Sequence, residues 1–329
     1  MGKRALILGG ALLAVGLGAT VLIGAWRSWL AASVLAISLP AGAIGWILVM
    51  RLAVGAWTGP IAEACAAIAG RAPFASLTFL PVLVAQSAIY PWAGAHQATA
   101  FRAVYFNPAV FDLRALAWLA VLSLAGLFIA SGREVSKPAA CIGVIAFFLF
   151  QTMFVTDALA SLDLTFNASG FGLYVMAIQF GAALAMAILA GRPEETHRAG
   201  ALLLALMMMW AYFAFMQYFI LWSGNLPAGM SWFHTRSQGL WPGLMWLIGA
   251  CRLPLLCLLI FPPVRRSRRW MMTMAAVVLA GDIMEVAWIA LPGAGYGPLQ
   301  DGLYAVMALA ALALAWPLKR AIPNEGGAA

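Results

Sequence analysis

Residues Trp270–Leu291 read WMMTMAAVVLAGDIMEVAWIAL. A bilayer's hydrocarbon core takes ~20 apolar residues in a helix, and this stretch is long enough. Two of its residues are acids, Asp282 and Glu285. They are three apart, so a helix places them on one face. A charge at membrane depth costs ~2.5–3.5 kcal/mol on insertion scales, and it rarely faces lipid. The stretch therefore implies both a membrane-spanning helix and a protein interior that receives two carboxylates.

The rest of the 329-residue chain agrees with a membrane setting. It is 64% hydrophobic and 9% charged, with mean hydropathy +0.94. A soluble domain is nearer half apolar and a quarter charged. Backbone groups in lipid must be satisfied internally, which leaves helices or closed barrels. The apolar runs here are continuous and rich in Leu, Ala and Met, without period-two alternation, so the expected fold is an all-α polytopic bundle.

Ten spans are expected, at Ala5–Trp26, Trp29–Val54, Phe74–Tyr90, Phe111–Ala130, Pro138–Val155, Ala168–Ala190, Gly200–Ser223, Gly239–Phe261, Trp270–Leu291 and Gly302–Leu318. Gly55–Arg71 is expected as a surface helix. The first run is longer than a signal-peptide core and is read as a retained span. With the N-terminus inside, fourteen of the 19 Lys and Arg residues fall on the cytoplasmic side, among them Lys3, Arg4, Arg192, Lys319 and Arg320. Four fall outside (Arg27, Arg102, Arg114 and Arg236), and Arg252 lies within a span. The positive-inside rule then places both termini in the cytoplasm. Tyr90, Trp92, Tyr105, Trp222, Trp232 and Trp241 are expected to form an aromatic belt at the outer interface.

The net charge of +8 reads as topology, because the basic residues lie at helix ends; no nucleic-acid partner is expected. Cys65, Cys141, Cys251 and Cys257 form no CxxC motif and read as small apolar helix residues. His96, His197 and His234 all fall in polar breaks, so neither a metal site nor a bis-histidine haem site is expected. The sequence contains no P-loop and no GxGxxG after a strand. Chemistry is thus expected inside the bundle or in a partner.

Six further polar positions stand out. Arg252 in the eighth span is a plausible partner for Asp282 and Glu285. Two readings of the acids stay open: a proton relay, since two close carboxylates share a proton readily, or a structural ion pair. Asp157 follows the fifth span and extends a polar path from Gln151. Asp163 reads either as a cap of the next helix or as part of that path. Gln217 sits among Phe and Ile in the seventh span. Gln86 occupies a similar setting in the third span, and spans two to five and six to nine read as two related units.

Four stretches resemble signature segments of one family: FLPVLVAQSAIYPWA (Phe79–Ala93), DALASLDLTFNASGFGLYVM (Asp157–Met176), WAYFAFMQYFILWSGNLP (Trp210–Pro227) and GDIMEVAWIALP (Gly281–Pro292). The family is the NrfD-like, polysulfide-reductase-type membrane subunit. The nearest branch is the second such subunit of bacterial alternative complex III, a quinol:cytochrome c oxidoreductase. Glu285 stands where that family usually has Asp, and Asp282 where it often has His. Asp157 and Asp163 match family acids, whereas Leu164 and Thr165 replace a usual Pro-His pair.

The resemblance implies a single membrane domain of two four-helix bundles, residues 28–155 and 168–291, flanked by helices at 5–26 and 302–318. It implies no haem or metal, a quinol or quinone as the only cofactor, and a bacterial inner-membrane location. The implied partners are an iron–sulfur subunit, c-type cytochrome subunits and a second NrfD-like subunit. Three functions follow as expectations: a proton-carrying, non-catalytic subunit; a quinol-binding anchor using Asp157, Gln217 or Glu285; or a stand-alone secondary transporter.

Overall fold

The computed structural model describes residues 2–53, 59–94, 99–166, 168–191, 196–225, 227–295 and 297–316. His96, Arg192, Lys319 and Arg320 lie outside these residues, as does the end of the tenth expected span. Every regular element among the described residues is helical. Helix α1 (Gly2–Ile23) ends at Gly24, whose φ of 70° turns the chain directly into α2 (Trp26–Leu52). That left-handed conformation suits glycine.

The third span is broken. Helix α3 (Gly59–Ala69) is followed by α4 (Ala72–Leu77), α5 (Leu80–Val84) and α6 (Gln86–Ile89). The segments Ile61–Ala69 and Ala72–Val84 meet at 40°. Pro73 has no N–H to bond the Ala69 carbonyl, a standard cause of such a bend. The structure corrects the expected surface helix over Gly55–Arg71. Within the described part, α3 packs against α2, and Cys65, Ile68 and Ala69 are fully buried. Its small side chains permit close helix contact.

A short α7 (Ala100–Tyr105) precedes α8 (Pro108–Ala130), and α9 (Lys137–Ala158) returns. Asn107 and Ser136 cap α8 and α9 by accepting from the Ala109 and Ala139 amides at 2.9 and 3.3 Å. There follow α10 (Phe171–Gly191), α11 (His197–Ser223), α12 (Pro227–Arg236), α13 (Trp241–Leu259), α14 (Pro262–Arg266), α15 (Arg268–Ala290) and α16 (Pro298–Ala315). Nine helices among the described residues are long and apolar enough to cross a membrane, or ten with the bent pair taken as one span. The chain is an all-α polytopic membrane protein.

Two groups of helices pack within themselves. The first joins α2, α3–α4, α8 and α9, and the second joins α10, α11, α13 and α15. Helices α2 and α10 run side by side between the groups and are almost wholly buried. Gly42 lets the Gln179 main chain approach α2, and Trp46 Nε1 donates to the Phe180 carbonyl at 2.9 Å. Helices α1 and α16 pair as a flank, with Gly9 against the Ala310 carbonyl and Leu314 amide. The outer sides of α8 and α9 expose Val121, Ile142, Ile145 and Leu149. Such unbroken apolar exposure suits lipid rather than water.

The helices alternate in direction. Helices α8, α10, α13 and α16 begin on the face where α1 ends, here termed the far face. Three expectations for this face are corrected. Tyr90, Trp92 and Trp232 are buried and do not form a belt; Trp92 Nε1 donates to Ser161 Oγ at 3.1 Å and Tyr90 to the Ala158 carbonyl at 3.2 Å. Trp222 is 61% exposed, as a belt residue would be. Arg114 lies within α8 and Arg236 is buried, so neither is a free loop charge.

Candidate functional site

The four helices of the second group each send one or two side chains to a common buried point. Helix α13 supplies Arg252, 0% exposed, and α15 supplies Asp282 and Glu285. Their i, i+3 spacing turns both carboxylates toward α13, and the guanidinium bridges them. Its Nη2 donates to Asp282 Oδ1 and its Nη1 to Glu285 Oε2. Helix α11 adds Trp210, whose Nε1 donates to both Glu285 oxygens at 2.7 and 2.9 Å. Helix α10 adds Tyr174, whose hydroxyl donates to Glu285 Oε1. The guanidinium also lies 4.6 Å from the centre of the Trp210 ring, within cation–π range.

The two carboxylates are treated differently. Glu285 receives donors from Arg252, Trp210 and Tyr174. Asp282 receives one, from Arg252, and its Oδ2 is buried without a hydrogen-bond partner, as is Arg252 Nε. One cation faces two carboxyl groups in the interior of the bundle. Gly281 makes room for the cation, because a Cβ there would lie against Arg252 Nε and 3.1 Å from its Cζ. Tyr304 of α16 donates to the Ile283 carbonyl at 2.7 Å and closes that side.

The first group holds a second ion pair nearer the far face. Arg114 Nε donates to Asp157 Oδ2 at 2.9 Å and its Nη1 to the Tyr105 carbonyl at 3.0 Å. The guanidinium stacks 4.1 Å above the Tyr105 ring. Burial, then the Asp157 charge, push the Tyr105 hydroxyl up to about 12. Asp157 Oδ1 and Arg114 Nη2 are buried without partners. Both residues line a cavity of about 370 Å³ between α8 and α9, otherwise walled by residues such as Val121, Phe150 and Met153.

Gln151 connects this cavity to the centre of the molecule. Trp118 Nε1, on the cavity wall, donates to Gln151 Oε1 at 2.6 Å. Gln151 Nε2 donates to Gln179 Oε1 at 3.0 Å, and Gln179 Nε2 to Ser38 Oγ at 3.4 Å. These bonds span α8, α9, α10 and α2, and so tie the two helix groups together.

The structure thus joins Asp282, Glu285 and Arg252 in one cluster and places Asp157 in another. Asp163 belongs to neither. Its Oδ1 accepts from the Thr165 amide and hydroxyl, and its Oδ2 from Ser231. It caps no helix. Gln217 is buried and donates to the Phe213 carbonyl of its own helix at 3.2 Å. Sequence reasoning missed the Arg114–Asp157 pair and the roles of Tyr174 and Trp210; the one signal available was that Arg114 falls within an apolar run. Among the described residues no three His, Cys, Asp or Glu side chains could together hold a metal ion.

Compared with protein-family models and with curated proteins, the chain matches none.

Proposed function

We propose that this chain is an integral membrane subunit of a quinol:electron-acceptor oxidoreductase of the alternative complex III type, placed in a bacterial inner membrane with both termini cytoplasmic. Its acceptor is cytochrome c, reached through iron–sulfur and c-type cytochrome subunits, with a second NrfD-like subunit alongside. The four sequence stretches, the two packed helix groups and the flanking pair all support this reading.

The observation that carries its mechanism is the Arg252–Asp282–Glu285 cluster. Glu285 is held in place by donors from Arg252, Trp210 and Tyr174 on three neighbouring helices. Asp282, with one oxygen unpartnered, is the group placed to take and release a proton. The cation neutralises one carboxylate, so the cluster passes between neutral and singly negative states. That is a two-state electrostatic element at membrane depth. Isolation of the tagged chain from native membranes in mild detergent tests the reading. Co-purification of c-type haem and iron–sulfur subunits in fixed ratio is expected; a colourless solitary chain would refute it.

A specific observation favours a second role, that of quinol holder. The α8–α9 cavity is apolar and is lined by Asp157 and Arg114, each of which also keeps one buried polar atom without a partner, Oδ1 and Nη2. A ring bearing hydroxyl or carbonyl groups fits that pair. A bound quinol would supply electrons and protons there; Asp157 is the proton acceptor within reach, and Arg114 fixes its orientation.

A further inference from the structure

We propose that the far face carries an anion-binding pocket, built by Arg27, Asp163, Trp232, Thr235, Arg236 and Pro292, that takes an acidic side chain or terminal carboxylate of a polypeptide partner. The pocket measures about 320 Å³, at the lower end of ligand-site volumes. It contains two guanidinium groups and one carboxylate.

Arg236 is the decisive group. It is 5% exposed, and its guanidinium donates to three main-chain carbonyls, of Trp288 at 2.9 Å, Trp232 at 2.8 Å and Ile289. Its charge rests 3.2 Å from the Trp232 ring centre. The carbonyls take three of its five N–H hydrogens and supply no counter-charge. The carboxylate in the pocket, Asp163, is turned onto Thr165 and Ser231. Two guanidinium groups against one carboxylate leave the pocket's lining with one formal positive charge. Burial pushes Arg236 down to about 9, with Asp163 opposing the fall and Arg27 adding to it. A buried cation without full compensation behaves this way.

Position selects the class of anion. Arg27 begins α2, the helix most enclosed by others. Asp163 follows α9, Arg236 ends α12 and Pro292 follows α15. These elements come from both helix groups and converge between them, away from the lipid-facing sides of α8 and α9. A lipid headgroup would have to leave the annulus to reach this point, whereas a polypeptide lying over the face meets it directly. This holds whether or not the partner carries electrons, so it stands apart from the redox reading.

The test uses the full chain in phosphatidylcholine nanodiscs and two fluorescent peptides, tetraglutamate and tetraglutamine. Saturable binding of tetraglutamate, about tenfold tighter than tetraglutamine, is expected. Arg236→Gln should weaken it about tenfold and Arg236→Lys should largely retain it. Asp163→Asn should tighten it severalfold, because it removes the opposing charge. Equal binding of the two peptides would overturn the proposal, as would indifference to Arg236→Gln and Asp163→Asn. If Arg236→Gln does not fold, Asp163→Asn decides alone, and unchanged affinity there overturns it. Displacement of the peptide by phosphatidylglycerol, at levels where inorganic phosphate is inert, would overturn the polypeptide assignment in favour of a headgroup.

Discussion

Gly281 and Arg252 occupy one another's space: the side chain that Gly281 lacks is replaced by the guanidinium of Arg252, whose Cζ lies 3.1 Å from where a Cβ would stand. The glycine of α15 thereby sets how deeply the arginine of α13 can reach between Asp282 and Glu285. Gly281→Ala should displace the guanidinium and cost about 1–3 kcal/mol, the range for overpacking a filled interior. A fall in the thermal midpoint of the detergent-solubilised protein checks this. An unchanged midpoint would mean that Arg252 has another position available.

Removing the cation is expected to be worse. Arg252→Met leaves two carboxyl groups facing one another in the bundle, and breaking a buried pair from one side costs about 3–5 kcal/mol. The triple variant Arg252→Met, Asp282→Asn, Glu285→Gln removes the charges together and should recover most of that loss. Tyr174 and Trp210 can still donate to the amide oxygen at position 285. Yield and thermal midpoint of the two variants give the comparison; a triple variant as unstable as the single one would show that charge is not the issue.

The two helix groups meet through Gly42, where a Cβ would press on the Gln179 main chain and sit 3.0 Å from Ala183 Cβ. Gly42→Val should part α2 from α10 and break the Gln179–Ser38 bond. Protease accessibility in membranes should rise, together with a stability loss of about 1–3 kcal/mol. Gly10, with nothing within 4 Å, gives a control in which the same substitution is harmless.

Asp157 tests the quinol-holding role proposed for the first helix group. Asp157→Asn keeps the shape beside Arg114 but removes the proton acceptor at the α8–α9 cavity. If the cavity holds quinol, turnover of the isolated complex should fall by about 10²-fold or more, the usual scale for a lost general base, with subunit composition unchanged. Full turnover in a correctly assembled variant would assign Asp157 to structure alone.

Much of the fold is legible in the sequence because lipid imposes length and continuity on each span. The two acids of Trp270–Leu291 announced an interior, and Arg252 could be matched to them as the cation within a neighbouring span. The remainder depends on helix rotation, which a sequence of apolar letters does not encode. Nothing along the chain says that Tyr174 and Trp210 turn toward Glu285, or that Arg114 reaches Asp157 from the next helix. The third span was misread for a related reason. Gly55–Arg71 is expected as a surface helix, whereas Cys65, Ile68 and Ala69 place α3 in the core. Arg236 looked like a loop charge, and only the fold of α12 onto α15 buries it.

The division of labour between Asp282 and Glu285 is the central claim, and infrared spectroscopy of the full chain in nanodiscs tests it most directly. Difference spectra across a pH series report the C=O stretch of protonated carboxyl groups. The expected result is a protonated-carboxyl band that grows and fades with pH, is absent in Asp282→Asn and survives in Glu285→Gln. A band that persists in Asp282→Asn and vanishes in Glu285→Gln would contradict it, and the proton would then belong to Glu285.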